Sequence, residues 1–307
     1  MPLDPQAQAY FDQMAALNMP ALHTLTPEII RQGTRMQLSL LGEPEPVAHV
    51  ENRAIPGPAG EIPIRIYRPD DSGPLPVLVF FHGGGWVICD LDTHDPICRS
   101  LTNQARCMVV SVGYRLAPEH KFPAAPEDCY AAAQWVAQHA AELNGDPARI
   151  ALGGDSAGGN LTAVVAQMAR DRDGPPLIFQ LMIYPATNFK AKTASKASNA
   201  QGYVLTYEDM LWFTNHYLKS EEDKQNPLAS PMLAANLRGL PPALIVTAEY
   251  DPLRDEGEQY GERLKEAGVP VTISRYNGMT HGFLSMPFDQ GKKAMAEMSA
   301  ALRAAFN

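Results

Sequence analysis

Four short stretches of the chain are apolar almost from end to end: Val77 to Phe81, Met108 to Val112, Ile178 to Tyr184 and Ala243 to Thr247. Runs of this length without a polar face read as strands buried on both sides. Between them lie stretches of helical composition, notably Leu161 to Met168, Pro126 to Glu142 and Asp255 to Ala267. Apolar strands alternating with helices predict an α/β fold with a mostly parallel central sheet flanked by helices. Ahead of them, Val47 to Ile55 and Ile62 to Tyr67 alternate apolar and polar residues about a Pro-Gly-Pro-Ala-Gly turn, the pattern of an antiparallel pair at a sheet edge. Val271 to Arg275 predicts a last, more polar strand near an edge, and Gly291 to Phe306 a closing helix. The sheet would have about eight strands.

Two segments fall outside this rhythm. Near the start, Tyr10, Phe11, Met14 and Leu17 recur at helical intervals from Gln6 to Leu17, and Thr26-Pro27-Glu28 carries the capping hydroxyl, early proline and acid of a helix start. Between Tyr184 and Ala243 the chain is too long for a simple crossover. There, Asn188 to Gln201 is small and polar, while Tyr207 to Leu218 sets Met210, Phe213, Thr214 and Tyr217 on one side of a helix. Both segments are read as parts of a helical cap. The expected division is 1–45 for the N-terminal part of the cap, 46–187 for the first part of the core, 188–225 for the cap insertion and 226–307 for the rest of the core.

The candidate chemistry centres on Gly154-Asp155-Ser156-Ala157-Gly158, which follows the apolar Ile150-Ala151-Leu152 and opens into the helical run from Leu161. A strand, a tight turn and a helix bring two backbones together, so the positions around the apex must lack bulk, and Gly154, Ala157, Gly158 and Gly159 meet that need. The spacing is that of a nucleophile elbow, with Ser156 lifted clear at a helix N-terminus. A phosphate loop would need Lys-Ser/Thr where Asn160-Leu161 stands, and the register gives no dinucleotide fingerprint.

A serine nucleophile needs a base, and the base an acid to orient it. Of the two histidines after Ser156, His216 falls in the amphipathic helix and His281 in the glycine-containing segment Asn277 to Phe283, directly after the last strand. His281 is the expected base. Asp251 leaves the end of the preceding strand before Pro252 and is the expected acid, with Glu249 and Asp255 as competitors. His82-Gly83-Gly84-Gly85-Trp86 follows the strand Val77 to Phe81, where backbone N–H donors for an oxyanion are expected; His82 itself reads as an anchor of that loop. Trp86, Tyr184, Leu205, Met210, Phe213 and Phe283 are candidates for an apolar substrate pocket.

Charge and cysteine usage narrow the class further. A net charge of −9 with no basic stripe argues against a nucleic-acid partner, and no apolar run is long enough to span a bilayer. Cys89, Cys98, Cys107 and Cys129 show no metal-ligand spacing and read as free thiols of a reducing compartment. The start Met1-Pro-Leu-Asp-Pro-Gln lacks the basic and apolar regions of a signal peptide, so a cytoplasmic location is expected.

Taken together, His82 to Trp86, Tyr114-Arg-Leu-Ala-Pro-Glu119, Gly154 to Gly159, Asp251-Pro-Leu253 and His281-Gly-Phe283 resemble the hormone-sensitive-lipase-like bacterial carboxylesterases of the α/β-hydrolase fold. The resemblance implies Ser156, His281 and Asp251 as the catalytic triad and an oxyanion hole built from the N–H groups of Gly83, Gly84 and Ala157. It implies hydrolysis of short- to medium-chain acyl esters through an acyl-enzyme, with neither metal nor organic cofactor, and, in some members, pairing of two copies through an edge strand. An amidase or lactonase with the same triad, or a non-catalytic binding protein on the same fold, are the competing readings.

Overall fold

The computed structural model describes residues 2–38 and 43–307, so Met1 and the 39–42 part of the expected N-terminal cap segment lie outside the described residues. Eight strands form one sheet: β1 (His49–Gly57), β2 (Gly60–Arg68), β3 (Leu75–Phe81), β4 (Met108–Val112), β5 (Gly145–Asp155), β6 (Phe179–Ile183), β7 (Ala243–Tyr250) and β8 (Val271–Thr280). Their order is β1-β2-β4-β3-β5-β6-β7-β8. The hairpin of β1 and β2 runs antiparallel at one edge, β2 pairs antiparallel with β4, and all remaining pairs are parallel.

The described helices are α1 (Pro5–Ala16), α2 (Pro27–Leu38), α3 (Asp95–Ala105), α4 (Ala124–His139), α5 (Ala157–Asp171), α6 (Ala194–Ser198), α7 (Tyr207–Tyr217), α8 (Arg254–Glu266) and α9 (Asp289–Phe306). They cover both faces because successive strand side chains point to opposite sides. From β3, Val77, Val79 and Phe81 join Val136 of α4 and Leu161 and Val165 of α5 in one core. Leu78 and Phe80 join Leu101 of α3 and Met298 and Leu302 of α9 in the other. All five of these β3 residues are fully buried, which is why the strand carries no polar face. No helix among the described residues is long and apolar enough to cross a membrane.

Two elements differ from the sequence reading in ways that bear on the site. Strand β8 does not stop at Arg275 but runs to Thr280, with a register shift against β7 that brings Thr280 opposite Tyr250. Gly278, at φ 76°, is a bulge within the strand, and its N–H is held at 2.7 Å by the Glu249 carboxylate. The extra length carries His281 to the end of β7, where Asp251 follows. The second is α3, which places a buried His94 at its N-terminal edge beside the loop that leaves β3.

Candidate active site

Ser156, Asp251, His281 and the glycine loop after Phe81 each leave the carboxyl end of a parallel strand, the edge of an open α/β sheet where ligands bind. Ser156 sits between β5 and α5 with φ 55° and ψ −113°, a conformation that costs a residue with a side chain about 1–3 kcal/mol. Its own N–H donates to the Ile183 carbonyl at 2.8 Å, which ties the apex to β6. The turn is this tight because α5 begins against the end of β3. A Cβ on Gly158 would stand 2.6 Å from the Phe81 carbonyl carbon and 2.8 Å from the His82 oxygen, both backbone atoms that cannot rotate away.

Ser156 Oγ lies 2.8 Å from His281 Nε2, and His281 Nδ1 lies 2.7 Å from Asp251 Oδ2. A carboxylate only accepts, so Nδ1 carries the imidazole proton and Nε2 is left to accept from the serine hydroxyl. The other Asp251 oxygen accepts from the Leu253 N–H at 2.8 Å, and the Asp251 side chain is fully buried. Asp251 thus has no freedom to leave the imidazole. The competing acids are engaged elsewhere: Glu249 holds the Gly278 N–H, and Asp255 accepts from Ser195 N at 2.7 Å and from the Arg254 guanidinium. Such a chain of bonds can draw the proton off Ser156 as its oxygen attacks an electrophile.

The glycine loop after β3 requires one correction. Gly83, expected among the oxyanion donors, spends its N–H on Asp155 Oδ1 at 2.9 Å, a buried carboxylate that also meets His94 Nε2 at 3.0 Å. Burial alone would push the Asp155 carboxyl up, but His94 and the neighbouring imidazoles hold it below its usual range, so it stays an anionic acceptor for Gly83. Gly84 and Gly85, at φ 98° and 58°, line the cavity, and among the described residues neither N–H donates a hydrogen bond. The same holds for the N–H of Ala157 at the start of α5. His82 lies under the loop, stacked 4.3 Å from the Tyr114 ring, and burial lowers its pKa to about 4.

In front of these groups opens a cavity of about 1060 Å³. Trp86, Tyr184, Leu205, Met210 and Phe213 line it together with Ser156 and His281. Phe283 does not. It is fully buried, packed against Tyr276 and Tyr184 on the sheet side, because the turn after His281 folds it under the loop rather than out of it. Sequence reasoning missed Leu22, from the N-terminal segment, and Phe189, which also face the cavity. It also missed Glu256 of α8, a buried carboxylate that accepts from Thr187 N and Asn188 N at 2.7 and 3.1 Å and pairs with Lys196 at 2.5 Å. Burial pushes the Glu256 carboxyl up while Lys196 opposes it, and the pair pins the cap-side chain leaving β6.

Residues 78–285, well over half of the chain, match the α/β-hydrolase-fold family. The carboxylic ester hydrolase LipN of Mycobacterium tuberculosis is 45% identical over 98% of this chain and 83% of its own length. An arylesterase of Saccharolobus solfataricus is 39% identical over 94% of each chain. Among solved structures, a hyperthermophilic esterase from the archaeon Pyrobaculum calidifontis superposes with a TM-score of 0.95 at 43% identity, over 99% of both chains. Sheet order, elbow and sequence likeness agree, and the chain belongs to the α/β-hydrolase family, within its hormone-sensitive-lipase-like carboxylesterases.

Proposed function

We propose that this carboxylesterase cleaves short- to medium-chain acyl esters through an acyl-enzyme on Ser156, with His281 as base and then acid and Asp251 as its orienting partner. The observation that carries the reading is the unbroken chain of bonds from Asp251 to His281 to Ser156, at 2.7 and 2.8 Å, ending in the cavity. Ser156 Oγ attacks the ester carbonyl as His281 Nε2 takes its proton. The carbonyl oxygen gains the negative charge and accepts hydrogen bonds from Gly84, Gly85 and Ala157, with Gly85 in the place first expected of Gly83. The tetrahedral adduct collapses, His281 protonates the leaving alkoxide, and the alcohol departs. Water then repeats the attack on the acyl-Ser156 ester, giving up its proton to His281, and the acid leaves as Ser156 regains its hydrogen.

Residues 1–45 and 188–225 act as a cap over a core made of 46–187 and 226–307. Support comes from Leu22, Leu205, Met210 and Phe213, which approach the cavity from those two segments, and from its volume, which suits a modest acyl chain. The four cysteines are free thiols, which suits a reducing cytoplasm.

The test is turnover of p-nitrophenyl esters, acetate to palmitate, by wild type and Ser156→Ala, with matched amides and lactones alongside. The reading expects a maximum at short or medium acyl chains, a loss of roughly 10⁶-fold in kcat on removing the nucleophile, and esters preferred to amides. Equal turnover by Ser156→Ala would overturn the nucleophile, and a maximum at palmitate the pocket.

A further inference from the structure

The loop between β3 and α3 is a strained turn held by neighbours as well as by its own bonds. Gly84, Gly85, Trp86 and Cys89 all have positive φ, two of them in residues with side chains, and within the turn itself Val87 N and Ile88 N both bond back to Gly84 O. Neighbours also hold it, from three sides. On the inner side Asp155 takes the Gly83 N–H. On the outer side the Tyr114–Glu119 segment meets it twice: the Tyr114 hydroxyl donates to His82 O at 2.8 Å, and Ala117 N donates to Trp86 O at 2.9 Å.

The third side belongs to Arg31, from α2, a helix of the cap segment. Its Nε donates to Val87 O at 2.8 Å, Nη2 donates to Ala117 O at 2.8 Å, and Nη1 and Nη2 grip Glu119 at 2.6 and 3.0 Å. One rigid fork therefore joins the cap, the glycine loop and the Tyr114–Glu119 segment. That hydrogen bond holds the Glu119 carboxyl down at about 2, so the pair stays ionised wherever esters are assayed.

We propose that Arg31 is a positioning residue for ester hydrolysis: by fixing Val87 against Ala117 and Glu119, it holds the Gly84 and Gly85 N–H groups where the oxyanion forms. The inference rests on Ser156 being the nucleophile that generates that oxyanion. It also gives the Tyr114–Glu119 motif a use, as the seat against which Arg31 clamps the loop. Lysine cannot replace it, because a single ammonium lacks the planar fork that reaches three acceptors in fixed directions.

A merely structural Arg31 would matter to stability and not to transition-state affinity, and the experiment separates the two. Arg31→Gln, Arg31→Lys and Ser156→Ala are made in the full chain. For each, kcat and KM for p-nitrophenyl butyrate, the inhibition constant of an alkyl trifluoromethyl ketone and Tm are measured. The ketone adds the serine oxygen to its carbonyl carbon, and the resulting oxyanion occupies the hole. Both Arg31 variants are expected to lose about tenfold to a hundredfold in kcat, less than the roughly 10²–10³ of a whole lost donor. KM should stay within about threefold, and the ketone constant should rise by the same factor as kcat falls.

Arg31→Lys keeps the pairing with Glu119, so its Tm should stay within about 3 °C of wild type, and it decides the matter if Arg31→Gln does not fold. Wild-type kcat and ketone affinity in a folded Arg31 variant, or a fall in kcat with no change in ketone affinity, would overturn the inference. If Ser156→Ala is inactive while the Arg31 variants behave as wild type, only the role of Arg31 fails. If Ser156→Ala turns over normally, the reading of the elbow has failed first.

Discussion

A methyl group placed on Gly85 tests how the cap helix and the glycine loop depend on each other. It would stand 2.6 Å from Phe213 Cε1 and nearer still to the adjoining ring atoms, where ordinary contact begins at 3.4 Å. The backbone is not the obstacle: φ is 58°, a region alanine enters at a cost of roughly 1–2 kcal/mol. The obstacle is the ring, which Trp212 braces edge-on at 5.1 Å, while the loop is braced by Asp155 and Ala117. One of the two must give by about 1 Å, and a misplacement of that size at a reacting group costs on the order of 10² in rate. Gly85→Ala is therefore expected to lower kcat about a hundredfold on p-nitrophenyl acetate, a substrate too short to need the acyl pocket. Removing the ring should relieve it, so Gly85→Ala/Phe213→Ala is expected to return to within about tenfold of Phe213→Ala, a strongly non-additive cycle. Gly84→Ala supplies the contrast. Its methyl would meet the Ile88 carbonyl carbon at 2.7 Å, a backbone atom, at φ 98°, and Phe213→Ala should not rescue it. Wild-type rates for Gly85→Ala, or equal rescue of both glycine variants, would refute the reasoning.

Phe213→Ala by itself should shift the acyl-chain preference towards longer chains while leaving acetate turnover within about threefold, since the ring lines the cavity and lies outside the chain of bonds from Asp251 to Ser156; an unchanged chain-length profile would remove it from the acyl pocket. A second expectation concerns acid. Burial, reinforced by His94, lowers the His82 pKa from 6.5 to about 4. The unfolded chain therefore takes up a proton there before the folded one does. The stability this gives is fully present above pH 6.5 and is lost as the pH falls towards 4, on the order of 3 kcal/mol at the limit. Thermal unfolding followed from pH 7 to 4 should show that slope in wild type and a flatter one in His82→Asn, whose amide can still donate to Gly83 O; identical slopes would exclude His82 as a source.

Local pattern and long-range placement contributed differently to what the sequence could reveal. The strands were legible because burial on both faces leaves a run such as Val77 to Phe81 with no polar position. The elbow was legible because steric crowding at a strand-to-helix turn selects small residues at fixed offsets. The end of β8 was hidden because Asn277-Gly278 reads as a turn, whereas Gly278 is a bulge whose partner, Glu249, is 29 residues away. Asp251 could be preferred to Glu249 and Asp255 but separated from them only by where each carboxylate points. The use of the Gly83 N–H depends on Asp155, 72 residues on, and nothing near Gly83 announces it. Phe283 was misplaced because adjacency to His281 in the chain says nothing about which side of the loop a ring faces. Arg31 carried no signal at all, since its acceptors are two backbone carbonyls and a glutamate 56 to 88 residues away.

The central claim, a single covalent nucleophile at Ser156, is tested most directly by intact-mass and peptide-mapping analysis after treatment with a p-nitrophenyl alkylphosphonate. The expected result is one phosphonyl group per chain, on the peptide carrying Ser156, appearing together with loss of esterase activity and absent from Ser156→Ala. A label on any other residue, or activity surviving full labelling of Ser156, would contradict it.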